Sequence, residues 1–130
     1  MRILLVLFPF LARFSDTCAP TRATTPIVCA CSTSEVALLY RIDGSDGGAE
    51  AIQPVGEVTT SDANNCPTEY TITCTLPEGS TGTVMMMFQD SVSGGLQQNT
   101  IPLACTDGNW LYLDETNGQT LVVSVSCSFV

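Results

Sequence analysis

Seven cysteines, thirteen carboxylates and no histidine set the chemistry open to this 130-residue chain. Without histidine there is no Ser–His or Cys–His relay and no imidazole to hold a metal. The four basic residues are all arginine (Arg2, Arg13, Arg22 and Arg41), which removes the lysine Schiff base and the P-loop lysine. Carboxylates and thiols remain. Asp114 and Glu115 are the one adjacent acidic pair. Neighbours in a strand point to opposite faces, so these two cannot flank one glycosidic bond, and a turn is expected there. Asp43, Ser45, Asp46 and Glu50 form the densest oxygen-rich stretch. A calcium ion takes about six to eight oxygens, and the EF-hand pattern fails because Pro54 stands where its glutamate would be. A solvated loop is expected instead. Zinc needs clustered thiolates, usually as paired knuckles, and only Cys29 and Cys31 stand close. No catalytic residue, metal or cofactor is expected.

The cysteines therefore read as structural. Cys18, Cys29, Cys31, Cys66, Cys74, Cys105 and Cys127 in a chain this small suggest a disulfide framework with one thiol left over. Six cysteines allow 15 connectivities, so spacing alone does not fix the pairs. Cys29 and Cys31 in an extended segment point to one face, and joining them would close a strained ring. They should take two different partners.

The compartment follows from the N-terminus. Arg2 is followed by ten apolar residues, 3–12, and then by polar chain. That is the layout of a secretory signal peptide, and the run is too short to span a bilayer. Pro9 in mid-run suits a central strand badly. The most tolerable cleavage point follows Ser15-Asp16-Thr17. Residues 1–17 are then a signal peptide, 18–28 a linker or arm, and 29–130 a single domain. The apolar tail 121–130 contains Cys127 and lacks the spacer of a GPI signal. A secreted, extracellular protein without a membrane span is expected. A net charge of −9 excludes a phosphate-tracking nucleic-acid surface and argues against anionic membranes. The partner expected is an extracellular protein or glycan.

The elements are short. Ser32-x-x-Glu35 is a capping-box pattern ahead of an apolar run, so residues 32–42 fit a short helix or a buried strand equally. Residues 51–60 are weakly strand-like and broken by Pro54. Residues 69–76 alternate strictly, with Tyr70, Ile72, Cys74 and Leu76 on one face and threonines on the other. Residues 83–88 form a strand without clean alternation. Asp107-Gly108 and Asn117-Gly118 signal hairpins on either side of the strand 110–113. Residues 120–128 read as one long strand, with Leu121, Val123, Val125 and Cys127 sharing a face. The fold class expected is all-β. It is a small disulfide-stapled antiparallel β-sandwich, immunoglobulin-like or a partial barrel, with room for one short helix. In it Met85, Met86, Met87 and Phe88 should be buried, and Trp110 and Tyr112 should anchor the core. The competing roles are an apolar contact surface and an aromatic binding pair.

Four segments together carry a likeness: 69–74 ending in Cys74, Leu-Ala-Cys105, Gly108-Asn-Trp110-Leu-Tyr112, and Val-Ser-Val-Ser-Cys127. The stretch from Cys29 to Cys127 resembles the six-cysteine domain of nematode extracellular proteins, a domain of unknown function. The likeness puts the six family cysteines on Cys29, Cys31, Cys66, Cys74, Cys105 and Cys127, and leaves Cys18 odd. In that family the first and third cysteines are sometimes missing together, which implies a Cys29–Cys66 bridge. Cys74 and Cys127 are each in phase with the apolar face of their own strand, and are expected to pair within the core. Cys31–Cys105 then remains. That also matches the first-to-third, second-to-fourth order of sushi modules, whose closing motif Cys105-x-x-Gly108-x-Trp110 resembles. The function expected is a secreted interaction or structural module without catalysis. The alternative is a secreted inhibitor or effector that binds a protein through exposed loops such as 91–99.

Overall fold

A computed structural model describes residues 25–41, 48–89, 96–116 and 118–130. The expected signal peptide, Cys18, most of the arm, and Asp43, Ser45 and Asp46 lie outside the described residues. Among the described residues nine strands form two sheets: β1 (Ala37–Leu39), β2 (Glu50–Ile52), β3 (Val55–Ser61), β4 (Pro67–Thr73), β5 (Val84–Phe88), β6 (Thr100–Thr106), β7 (Asn109–Asp114), β8 (Gly118–Leu121) and β9 (Ser124–Phe129). The larger sheet runs β3-β4-β6-β7-β8, antiparallel throughout. In the smaller sheet β9 is central. It pairs β5 on one side and, on the other, β1 along its first half and β2 along its second. The expected all-β disulfide-stapled sandwich is therefore the fold, with one departure from a wholly antiparallel arrangement: β1 runs parallel to β9.

Alternation builds the core. Tyr70 and Ile72 of β4, Ile101 and Leu103 of β6, and Trp110 and Tyr112 of β7 turn inward. They meet Met86 of β5 and Val125 of β9 in one cluster. Each fully buried side chain of this size contributes on the order of 1.5–3 kcal/mol. β5 alternates poorly because both its faces are covered: Met86 and Met87 are buried, Met85 and Phe88 half-buried. Ser126 and Ser128 are buried on the second face of β9, consistent with its central place.

Over residues 32–39 a single 3-10 turn is followed by a short strand that is exposed to half-buried rather than buried; Ile42 lies outside the described residues. Ser32 caps a 3-10 turn over Thr33–Glu35, with its side chain accepting from Ser34 N and Glu35 Oε2 accepting from Ser32 N at 3.1 Å. After Val36 the apolar chain extends into β1. The capping box is genuine, but strand pairing with β9 stops the helix after one turn.

The long strand expected over 120–128 is corrected. The chain breaks at residues 122–123 and passes from the larger sheet to the smaller. Val122 N still bonds to Trp110 O at 2.9 Å, on the β7 side. Two residues on, Ser124 already pairs with Ala37 of β1. The crossing slips the inward phase by one residue. Val122 is buried, whereas Leu121 and Val123 are 47% and 48% exposed; Val125 and Cys127 are inward again. Leu121 and Val123 therefore do not share the face of Val125 and Cys127.

At the β6–β7 hairpin Asp107 and Gly108 both have positive φ, +50° and +80°. That is the two-residue turn whose twist matches the strands, and it places Cys105 opposite Trp110.

Candidate functional site

The six described cysteines are joined in three pairs, Cys29–Cys66, Cys31–Cys105 and Cys74–Cys127, with Cα separations of 5.3, 6.0 and 6.2 Å. These are the same three pairs set out above. Each has a distinct mechanical role. Cys74 lies just past β4 and Cys127 within β9, so their bridge ties the two sheets through the core. Cys31–Cys105 ties the N-terminal segment to β6, and Cys29–Cys66 ties it to the start of β4. Cys105 and Trp110 face each other in register, and the Trp110 indole Nε1 donates to Ser32 O at 2.8 Å. A bridge and a part-buried hydrogen bond thus hold the N-terminal segment of the domain at neighbouring residues.

Trp110, Tyr112 and the methionines of β5 pack into or against the interior, whereas Tyr40 is exposed. Trp110 is 1% exposed and packs against Tyr70, ring centroids 5.7 Å apart. Tyr112 packs against Phe88 at 5.5 Å. Burial holds the Tyr70 phenol above the ordinary tyrosine value. Neither Trp110–Tyr112 nor Met85–Phe88 is presented as a contact surface.

Among the carboxylates, Asp114 ends β7 and its Oδ1 accepts from Thr116 N and Thr116 Oγ1, both at 2.9 Å. The pair Asp114–Glu115 is thereby part of a turn, as expected. Glu50 is exposed in β2, and Glu69 accepts from Thr59 Oγ1 at 2.6 Å on the outer face of the larger sheet. Among the described residues no cluster of three potential ligands could hold a metal, and no helix is long and apolar enough to cross a membrane.

Clefts open on the surface at two places among the described residues that bear on the sequence reading. One, of about 430 Å³, lies between Gly82–Val84 and Gln97–Thr100, where Leu76 and Val84 join the amides and hydroxyls of Gln97, Gln98, Asn99 and Thr100. Gln97, Gln98 and Asn99, with Leu96 before them, are the described part of the loop singled out in the sequence; 91–95 lie outside the described residues. The other, of about 350 Å³, lies at the end of β7 between Pro102, Tyr112, Leu113 and the Asp114–Thr116 turn. It brings a carboxylate pair beside apolar surface, which sequence spacing alone does not reveal. The signal was present in β7, where Leu111 and Leu113 alternate with Trp110 and Tyr112. A strand apolar on both faces has one face left over when only one sandwich core exists. Comparison with family models, with curated proteins and with solved structures finds no match for this chain.

Proposed function

We propose that this protein is a secreted extracellular module that works by contact and carries no intrinsic catalysis. The observation that supports the reading is the bridging pattern. Three disulfides tie the N-terminal segment and both sheets of a small all-β domain, and such density belongs to oxidising compartments. A small domain gains most from such staples, since its core alone gives limited stability. The signal-like N-terminus and the likeness to the six-cysteine extracellular domain point the same way.

The test is expression of the full chain in a secreting eukaryotic host, followed by mass spectrometry. The mature protein should begin near Cys18 and carry three bridges. Retention in the cytosol with Arg2 intact and the six cysteines reduced overturns the reading.

A further inference from the structure

The outer face of the larger sheet divides into two halves. On the β3–β4 half, Thr59 donates to Glu69 and lies 3.0 Å from the Thr71 hydroxyl, so polar groups satisfy one another. On the β6–β8 half the outward face carries an apolar row, Pro102, Ala104, Leu111, Leu113 and Leu121, with the exposed Gln119 opposite Leu113 as its polar neighbour. Leu111 stands opposite Leu121 and opposite Ala104. Leu113 is 55% exposed and Leu121 47%, with Pro102 exposed beside them and Val123 exposed just past the crossing. The cleft holding Glu115 and Asp114 opens at the Leu113–Pro102 end of this row.

Resting on the reading of the chain as a contact module, we propose that the β6–β8 outer face docks a basic protein segment with an apolar side. Its leucine-like residues lie on Leu111, Leu113 and Leu121, and a lysine or arginine enters the cleft toward Glu115. The cleft suits such a side chain. An aliphatic stem can run along Pro102 and Leu113 while its charged head reaches the carboxylates. Charge selects the occupant. With thirteen acidic and four basic residues, a second copy of this chain would bring like charge onto like charge. An anionic bilayer meets the same repulsion. A basic partner gains attraction over the whole approach, and faster association with it.

The test uses the purified full chain with its bridges formed, titrated with a short synthetic peptide alternating leucine and lysine at near-physiological salt. Thr/Lys and Leu/Glu versions of equal length serve as controls. Amide shifts should map to β6, β7 and β8, and both controls should bind at least about tenfold more weakly. Leu113→Ser with Leu121→Ser, and separately Glu115→Lys, should each lose about tenfold in affinity while melting as the parent does. Shifts mapping elsewhere, equal binding of the Thr/Lys peptide, or affinity unchanged in both variants overturn the proposal. So does sedimentation of the free chain as a dimer that the leucine variants convert to monomer. Export plays no part in this titration, so failure of the secretion reading and failure of this surface are seen separately.

Discussion

Gln89 acts as a strand partner for Val123. Its Oε1 accepts the Val123 N–H at 3.1 Å, its Nε2 donates to Leu121 O at 2.6 Å, and its own N–H donates to Ser124 O at 3.2 Å. The chain is crossing between sheets at this point and has left its backbone partner on one side. A side-chain amide supplies a donor and an acceptor in the spacing a peptide group would. Gln89 itself sits at φ +52° to reach them.

Gln89→Ala should therefore destabilise the domain by about 1–2 kcal/mol, since two exposed hydrogen bonds are lost and water partly replaces them. Gln89→Glu keeps the acceptor and loses the donor facing Leu121 O, so near neutral pH it should recover little. Denaturant melts of the three proteins check this. Gln89→Ala melting as the parent does would mean that the crossing holds without the amide.

That crossing also marks where the fold stops being legible in the sequence. Along residues 70–76 apolar and threonine residues alternate without a break, and the inward phase carries through Tyr70 and Ile72 to Cys74. Along 121–127 alternation is equally regular on paper, but Leu121 and Val123 lie outside and only Val125 and Cys127 share the inner face. The inward place of Cys127 is legible from its own strand and not from the residues before 124. A one-residue slip at a sheet crossing leaves no mark in a pattern of period two. The capping box at Ser32 is legible for the same local reason that the Asp107-Gly108 turn is, because both need only neighbours. The parallel pairing of β1 with β9 is long-range, as is the gathering of Glu115, Pro102 and Leu113 around one cleft, and composition does not encode either.

Gly56 makes room for Tyr70. A Cβ at residue 56 would collide with the Tyr70 phenol, which lies across the β3 backbone. Gly56→Ala should cost about 1–3 kcal/mol through overpacking, and Gly56→Val more. The cost should fall sharply in the Tyr70→Ala background, because the two residues compete for one space. A double-mutant cycle on thermal unfolding reads this coupling, and strict additivity would show that the strain arises elsewhere.

The same burial makes Tyr70 a reporter of alkaline unfolding. Its folded-state value lies above the model-compound value of 10.0, because burial disfavours the phenolate. The folded protein thus holds the proton more firmly than the unfolded chain. The resulting stability is present in full below pH 10.0 and is lost as pH rises through the folded value. The tyrosinate absorbance that distinguishes parent from Tyr70→Phe should appear only above that pH. Unfolding free energy should decline over the same window in the parent and less in the variant. Equal declines would assign the alkaline loss to other groups.

The three bridges should yield to reductant in an order set by exposure. Cys74 and Cys127 are 0% and 1% exposed, whereas Cys29 and Cys105 are each half-buried at the surface end of their bridges. Exchange requires a thiolate to reach a sulfur, so access controls the rate. Under mild reductant without denaturant, Cys29–Cys66 and Cys31–Cys105 should open first and Cys74–Cys127 last, on a timescale close to global unfolding. Removing the core bridge as Cys74→Ala with Cys127→Ala should cost roughly 4 kcal/mol from loop closure across its 53-residue separation, and more from the cavity. The Cys29→Ser, Cys66→Ser pair leaves the sheets tied and the Trp110–Ser32 bond in place, so most of the near-ultraviolet signal of Trp110 should survive. Timed alkylation with peptide mapping reads the order directly. Early labelling of Cys74 and Cys127 would place the opening event between the sheets, and the N-terminal segment would then be the better-held part of the domain.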